Sequence, residues 1–369
     1  ALQVGKLGTA ALSVLSTVIA LRALGPGEYD SYALALSFLN LWLTLDLTGI
    51  GQSTSTRLGI AVGARDQSQI LDLMAVYVQI STITALIFFG AIALLGQPIA
   101  ALVQDGRREI GLLAALLAFN LLPDAYYMLI VTTLQSRRQM RTLAGLQIAN
   151  QLVLTSCIIV AVWVQPTVYS YVLARMAYSS ITLVLAWWLY GRLRRQTTPE
   201  FPPLLRVFGR ARTVSARPYL GFGFLNALDK NIANLFVALP QQMVGALAGS
   251  GVVAYLRVAL DLSAYVSLLT SAIFENMQAV VPQMIGRGEL ARLQRVFMRV
   301  VLALMVGGTA VYGAMAITAP WLVPLVLGEE WRPVVPVVQI LAIYGAITTA
   351  GGVFGPLYRA LNAMRGAIT

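Results

Sequence analysis

The chain has 369 residues, 58% of them hydrophobic and 11% charged, and its mean hydropathy of +0.75 excludes an ordinary water-soluble domain. Its net charge of +11 would suit nucleic acid in a soluble protein, but the arginines gather between long apolar runs, so no nucleic-acid partner is expected. There is no histidine, and the one cysteine, Cys157, lies inside an apolar run, which leaves no disulfide framework, removes the commonest metal ligands and the commonest general base, and predicts neither cofactor nor metal.

A helix needs about 20 mainly apolar residues to cross the ~30 Å hydrocarbon layer. Ten stretches qualify, at about 7–24, 29–50, 71–97, 110–134, 143–164, 170–191, 218–240, 251–283, 297–318 and 334–357. An eleventh is expected to begin near Ala367. The first follows Lys6 but is long and leads at once to Arg22 and another span, which reads as a retained helix and not a secretory signal.

With the N-terminus in the cytoplasm, the inner turns hold 19 basic residues and the outer turns four, Arg22, Arg107, Arg108 and Arg332. This asymmetry sets the expected orientation. Trp163, Trp187, Trp188 and Trp331 fall near span ends, where interfacial indoles are expected.

Residues 192–217, basic and proline-containing, read as a cytoplasmic linker between a six-span lobe (1–191) and a second lobe (218–369) of at least four spans. Topology alone explains its arginines, and contact with anionic lipid headgroups, at ~1 kcal/mol each, is the second reading. A faint echo between "EYDSYALALSFLNLWL" and "VVAYLRVALDLSAYVSLL" supports two related halves. The predicted fold is an all-α integral membrane bundle with two lobes.

Several spans carry a polar face at 100° per residue. The second aligns Asp30, Ser37, Asn40, Thr44 and Thr48, with Asp46 opposite. The fourth has Asn120, Asp124 and Tyr127 beside Pro123, and the fifth Gln147, Asn150, Gln151 and Thr155. Arg175 stands five residues into the sixth, where it either snorkels outward or faces the interior, and Arg22 poses the same choice in the first. The seventh places Asn226, Asp229, Lys230 and Asn234 on one arc, and the eighth aligns Arg257, Asp261, Tyr265, Ser271 and Glu275 over ~27 Å.

A charge facing lipid at mid-helix costs at least ~2.5–3.5 kcal/mol, so Asp229, Lys230, Arg257 and Asp261 must meet partners or water. Arg257 and Asp261, at i and i+4, are placed to pair on one helix. Two readings follow: internal ion pairs that hold helices in register, or the lining of a hydrated passage. The number of aligned polar faces favours the passage.

At "VGKLGTAALSVLSTVIALRALGPGEYDSYALALSF" the chain resembles the oligosaccharide and polysaccharide flippases (Wzx-type) of the multidrug/oligosaccharidyl-lipid/polysaccharide exporter superfamily. "DLTGIGQSTSTRLG", "LGEEWRPVVPVVQILAIYG" and "LYRALNAMRG" extend the likeness across the chain. The resemblance implies two six-helix lobes and a transporter in the bacterial cytoplasmic (inner) membrane, not an enzyme. Alternating access would carry an undecaprenyl-diphosphate-linked saccharide across that membrane, with membrane lipids, an H+ or Na+ gradient and polysaccharide-assembly proteins as partners. It also implies a cationic path, carried onto Arg257 and Lys230 and then Arg22 and Arg175, with Asp229, Asp261, Asp30 and Asp124 as charge partners or coupling groups. Asn40, Thr44, Asn226, Asn234, Tyr265, Gln147 and Gln151 would line it. The family usually has Gly where this chain has Asp30 after the turn tyrosine, which puts an acid near the outer mouth. The competing readings are an ion-coupled multidrug exporter, for which Asp30, Asp46 and Asp124 are candidate acids, and a membrane saccharide polymerase, which the short outer turns disfavour.

Overall fold

Backbone N–H and C=O groups find no water in hydrocarbon, so spanning segments close their hydrogen bonds internally as helices. A computed structural model of the protein describes residues 2–104, 106–137, 139–196, 201–248, 251–267, 290–349 and 351. Every regular element among them is helical: α1 (Leu2–Leu43), α2 (Ile50–Ala64), α3 (Gln67–Val103), α4 (Arg108–Ala118), α5 (Leu121–Ser136), α6 (Met140–Val164), α7 (Val168–Gln196), α8 (Leu204–Ala211), α9 (Arg217–Ala248), α10 (252–267), α11 (Leu290–Leu327), a 3-10 turn (Glu329–Trp331) and α12 (Val334–Thr348).

Gly25 takes φ 66 and ψ 174, a conformation only glycine adopts easily, and Pro26 follows without an N–H, so α1 breaks into two arms. Those arms are the first two expected spans. With α3, the α4–α5 pair, α6 and α7 they take the places of the six spans expected in the first lobe, and α9 to α12 lie where the next four are expected. Six helices among the described residues are long and apolar enough to cross a membrane, the two-armed α1 counting as one. The fourth span bends at Phe119 and Asn120, where Pro123 can neither donate to nor pack against the carbonyl four residues back.

Compactness divides the chain into Ala1–Val253 and Ala254–Thr369. Accordingly α9 packs with the first unit, against α1 and α2. In the second unit α11 lies along α12, with Tyr312 over Gly345 and its hydroxyl 3.0 Å from that of Ser267.

Two segments expected as turn and linker are helical. Residues 50–64 form α2, which packs on α3, α5 and α9. Within the linker, α8 buries Val207 and Ala211 in the core that holds Leu58, Ile70, Met74 and Ile130, and Arg210 pairs with Asp72 at 2.7 Å. The Tyr190 hydroxyl donates to the Pro202 carbonyl at 2.8 Å. Short helices like these are marginal alone and are held by burial.

Exposed apolar side chains such as Leu94, Trp163 and Phe236 stud the outside of the first unit, as acyl chains require. Trp331 departs from expectation: it is fully buried with its ring edge-on to Tyr255, so it packs the second unit and does not sit at the interface. Asp66 caps α3 outside the span, accepting from the Ser68 hydroxyl and the Gln69 N–H, and these bonds hold its carboxyl below the usual range.

The helices α3 and α4 approach so closely that a methyl added at Gly111 would run into the Gly96 and Gln97 backbone. Small residues permit such contact where water offers no hydrophobic drive between helices. Gly111→Leu is therefore expected to force α4 off α3 at a cost of about 1–3 kcal/mol or more, read as a lower melting temperature of the detergent-solubilised protein than with a Gly90→Leu control, where an added Cβ meets no atom within 4 Å.

Candidate functional site

Charged and amide side chains gather at one end of the first unit. Asp30, fully buried on the second arm of α1, accepts from Arg107 Nη1 at 3.0 Å and from the Val253 N–H at 3.1 Å. Arg107 Nη2 donates to the Ser31 hydroxyl at 2.8 Å and to Glu109 at 3.3 Å, and the Ser31 hydroxyl donates to Glu109 at 3.2 Å. One turn deeper, Gln104 donates to the Gln242 side-chain oxygen at 2.9 Å, and Gln242 donates to Ser37 Oγ at 2.5 Å and to the Leu34 carbonyl at 2.9 Å. The helix α1, the α3–α4 turn and the far end of α9 are thus tied into one polar plug. A buried carboxylate is tolerated only with such partners.

The middle of the same unit holds a second cluster. Arg175 on α7 lies half-buried, its guanidinium 5.9 Å from the Tyr32 ring and hydrogen-bonded to Tyr171. Of the two positions the sequence leaves open for this residue, the interior one is taken. Asp124, near the midpoint of the fourth span, accepts a hydrogen bond from the Ser179 hydroxyl and keeps an accessible side. Asn150 donates to the Tyr178 hydroxyl at 2.8 Å, and Gln151 to Ser16 on the first arm of α1 at 3.3 Å. Gln147, Asn40 and Thr44 are half-buried, and Thr44 donates to the Leu41 carbonyl at 2.6 Å. Arg22 is exposed.

In the second unit, Arg257 holds Asp261 with Nε and Nη2 at 3.2 and 3.1 Å, a two-pronged pair on one helix. Its side chain retains 21% of its accessible surface, so the pair is held without being sealed. Tyr265, two turns along α10 from Val258, is half-buried. On α9, Asn234 is half-buried, while the side chains of Asn226, Asp229 and Lys230 lie outside the described residues, as do Ser271 and Glu275.

Sequence reasoning missed Arg107, Gln104, Gln242, Ser179 and Asn231. The first three sit at span ends, where polar residues are ordinary, and only their long-range pairing reveals them. Asn231 is 5% exposed and donates to the Asp46 carbonyl at 2.8 Å, although the helical arc drawn through Asn226 and Asn234 leaves it out.

The family model described as "Polysaccharide biosynthesis protein" matches residues 19–336. Among solved structures, the chain is similar to an inward-facing multidrug resistance MATE family transporter of the MOP superfamily (TM-score 0.65, 16% identity, 98% of this chain and 84% of that one). It is also similar to a eukaryotic MATE transporter (0.70, 14%, 97% and 81%) and to the MATE multidrug transporter DinF-BH (0.69, 14%, 99% and 82%). At these identities the likeness is one of fold. No curated protein matches the chain.

Removing one partner of an enclosed ion pair costs about 3–5 kcal/mol, less where a partner keeps some water, as Arg107 does at 26% side-chain exposure. Asp30→Ala is expected to destabilise the first unit by about 2–3 kcal/mol, and the double variant with Arg107→Ala by less than the sum of the two single changes. Thermal unfolding of the four proteins in detergent checks this, and strict additivity would show that the pair is not coupled.

Proposed function

The chain belongs to the polysaccharide biosynthesis protein family and has the fold of MOP-superfamily transporters, and from that premise we propose that it moves a lipid-diphosphate-linked saccharide across a bacterial cytoplasmic membrane by alternating access. In this reading the N-terminus is cytoplasmic, residues 1–191 and 218–369 are the two lobes, and 192–217 joins them on the inner face. The family match favours this cargo over the drugs of the multidrug reading.

The observation that carries the proposal is a set of charges that are paired but still accessible. Arg257 is gripped by Asp261 yet open on one side, and Asp124 is bound by Ser179 yet reachable halfway along its span. Either group against acyl chains would cost several kcal/mol, so the open side calls for water or a polar cargo. A diphosphate is anionic and finds its partners in Arg257, Lys230 and Arg175, with Arg22 as a peripheral cation. Asp229 and Asp261 keep the cations charged and oriented. Asn40, Thr44, Asn226, Asn234, Tyr265, Gln147 and Gln151 offer amide and hydroxyl partners to a sugar that is costly to strip of water.

The plug around Asp30 supports the same cycle. It ties the Val253 amide, beyond α9, and the α3–α4 turn to α1 within the first unit, and so gives the helices of that unit a fixed polar anchor at the end taken here as outer. Asp30 and Asp124 are the acids through which H+ or Na+ would bias the exchange, and polysaccharide-assembly proteins are the expected neighbours that supply and receive the cargo.

Arg257→Ala is expected to abolish surface polysaccharide while the protein reaches the membrane in normal amount, and Arg257→Lys to retain part of the export. The biochemical check is leaflet-resolved transport in vesicles bearing lipid-diphosphate saccharides of known structure. Normal transport by Arg257→Ala would remove this residue from the path.

A further inference from the structure

Among the described residues, two of the cavities are lined almost wholly by apolar groups. One, of about 410 Å³, lies between Phe38, Trp42, Leu239 and Met243, and the other, of about 740 Å³, between Val301, Tyr312 and Ile343. Acyl chains suit both. A third, of about 390 Å³ at the Asp46 end of the first unit, differs in chemistry: Asp46, Ser55, Tyr77, Thr132, Gln135 and Asn231 all line it. Its volume lies within the ~300–1,000 Å³ of small-molecule sites.

These side chains hold hydrogen-bonding capacity that the protein leaves unused. Among the described residues, the Ser55 and Thr132 hydroxyls and the Gln135 amide make no side-chain hydrogen bond. Asn231 is oriented by its bond to the Asp46 carbonyl, and its own side-chain oxygen is left to accept. The first turn of α2 borders the same space at Ile50 and Gly51 with no side-chain cap, which adds backbone donors. Tyr77 is pinned through its hydroxyl to the Ala125 carbonyl at 2.9 Å, so its ring is a fixed flat wall.

The charge of the lining narrows the occupant. Asp46 is the one acid, and its carboxylate accepts from the Thr48 N–H at 3.0 Å and the Thr48 hydroxyl at 2.7 Å. No basic residue lines the cavity among the described residues. A diphosphate or a uronic acid would meet like charge there, whereas hydroxyl-rich rings would meet donors, acceptors and an aromatic wall.

We propose that this cavity seats uncharged sugar rings of the headgroup while the diphosphate is held elsewhere, an inference that rests on the saccharide-transport reading. Hydroxyls of the cargo would bond to Ser55, Thr132, Gln135 and Asn231, and the site selects neutral over acidic sugars. The seat lies at the cytoplasmic end in the proposed orientation, where cargo is loaded.

The test uses the full-length protein in vesicles and the near-isosteric double variant Thr132→Val with Gln135→Leu, checked for equal reconstitution and melting temperature. Three probes are compared: undecaprenyl diphosphate bearing a neutral oligosaccharide, the same lipid bearing a uronic acid, and the lipid diphosphate without sugar. The proposal expects the parent to prefer the neutral headgroup and the variant to show a roughly ten- to thirtyfold higher KM for it, the loss of about two hydrogen bonds. Binding of the sugar-free lipid should be unchanged. An unaltered KM, equal handling of neutral and uronic headgroups, or parallel loss of sugar-free binding overturns the seat while transport stands. A parent protein that moves no lipid-linked saccharide overturns the transport reading itself.

Discussion

A carboxylate shut away from water, as Asp30 is on the second arm of α1, has to be matched by positive charge and donors from the protein, because nothing else at that depth will solvate it. The partners come from far along the chain: Arg107 from the α3–α4 turn and the Val253 amide beyond α9. A single buried acid therefore dictates where three separate parts of the chain must meet. The Gln104 and Gln242 amides continue the same joint one turn deeper, and the Gln104 side-chain oxygen remains without a hydrogen-bond partner among the described residues. A joint made of polar bonds is firm when complete and separable when exchanged for water, unlike an oily contact of equal area.

The rest of the first unit obeys the same constraint by different means. Arg175 is surrounded by tyrosine, and Asp124 is satisfied by a hydroxyl on the neighbouring helix instead of a full counter-charge. The helices approach through small residues, closely enough at Gly96 and Gly111 that backbone meets backbone. Polar groups then cross between helices without being strung along a single stripe. Asn150 reaches α7 while Gln151, its neighbour, reaches α1.

Long apolar runs make the spans readable, since hydrocarbon thickness fixes their length and only helices satisfy the backbone there. Gly25 and Pro26 mark the first reversal for a local reason, and the i to i+4 spacing of Arg257 and Asp261 announces their pairing. What stays hidden depends on tertiary contact. The helices α2 and α8 lack the long apolar runs by which spans are recognised, and they owe their form to the surfaces they cover. Trp331 sits at a span end in the sequence, but the fold closes over it. Arg107 looks like any charge in a turn until Asp30, 77 residues away, is brought beside it. Asn231 falls off the helical arc of its neighbours because its partner is a backbone carbonyl on another element, which no side-chain pattern encodes.

The docking of α8 has a geometric consequence. Clamped by Asp72, Val207 and Ala211, this helix leaves only residues 212–216 to reach the start of α9 at Arg217. Fully stretched, those steps extend about 20 Å. The chain between α8 and α9 is thus a short leash and not a loose tether: the first turn of α9 stays within that radius of the core that α8 covers, which fixes where this helix can begin its packing on α1 and α2.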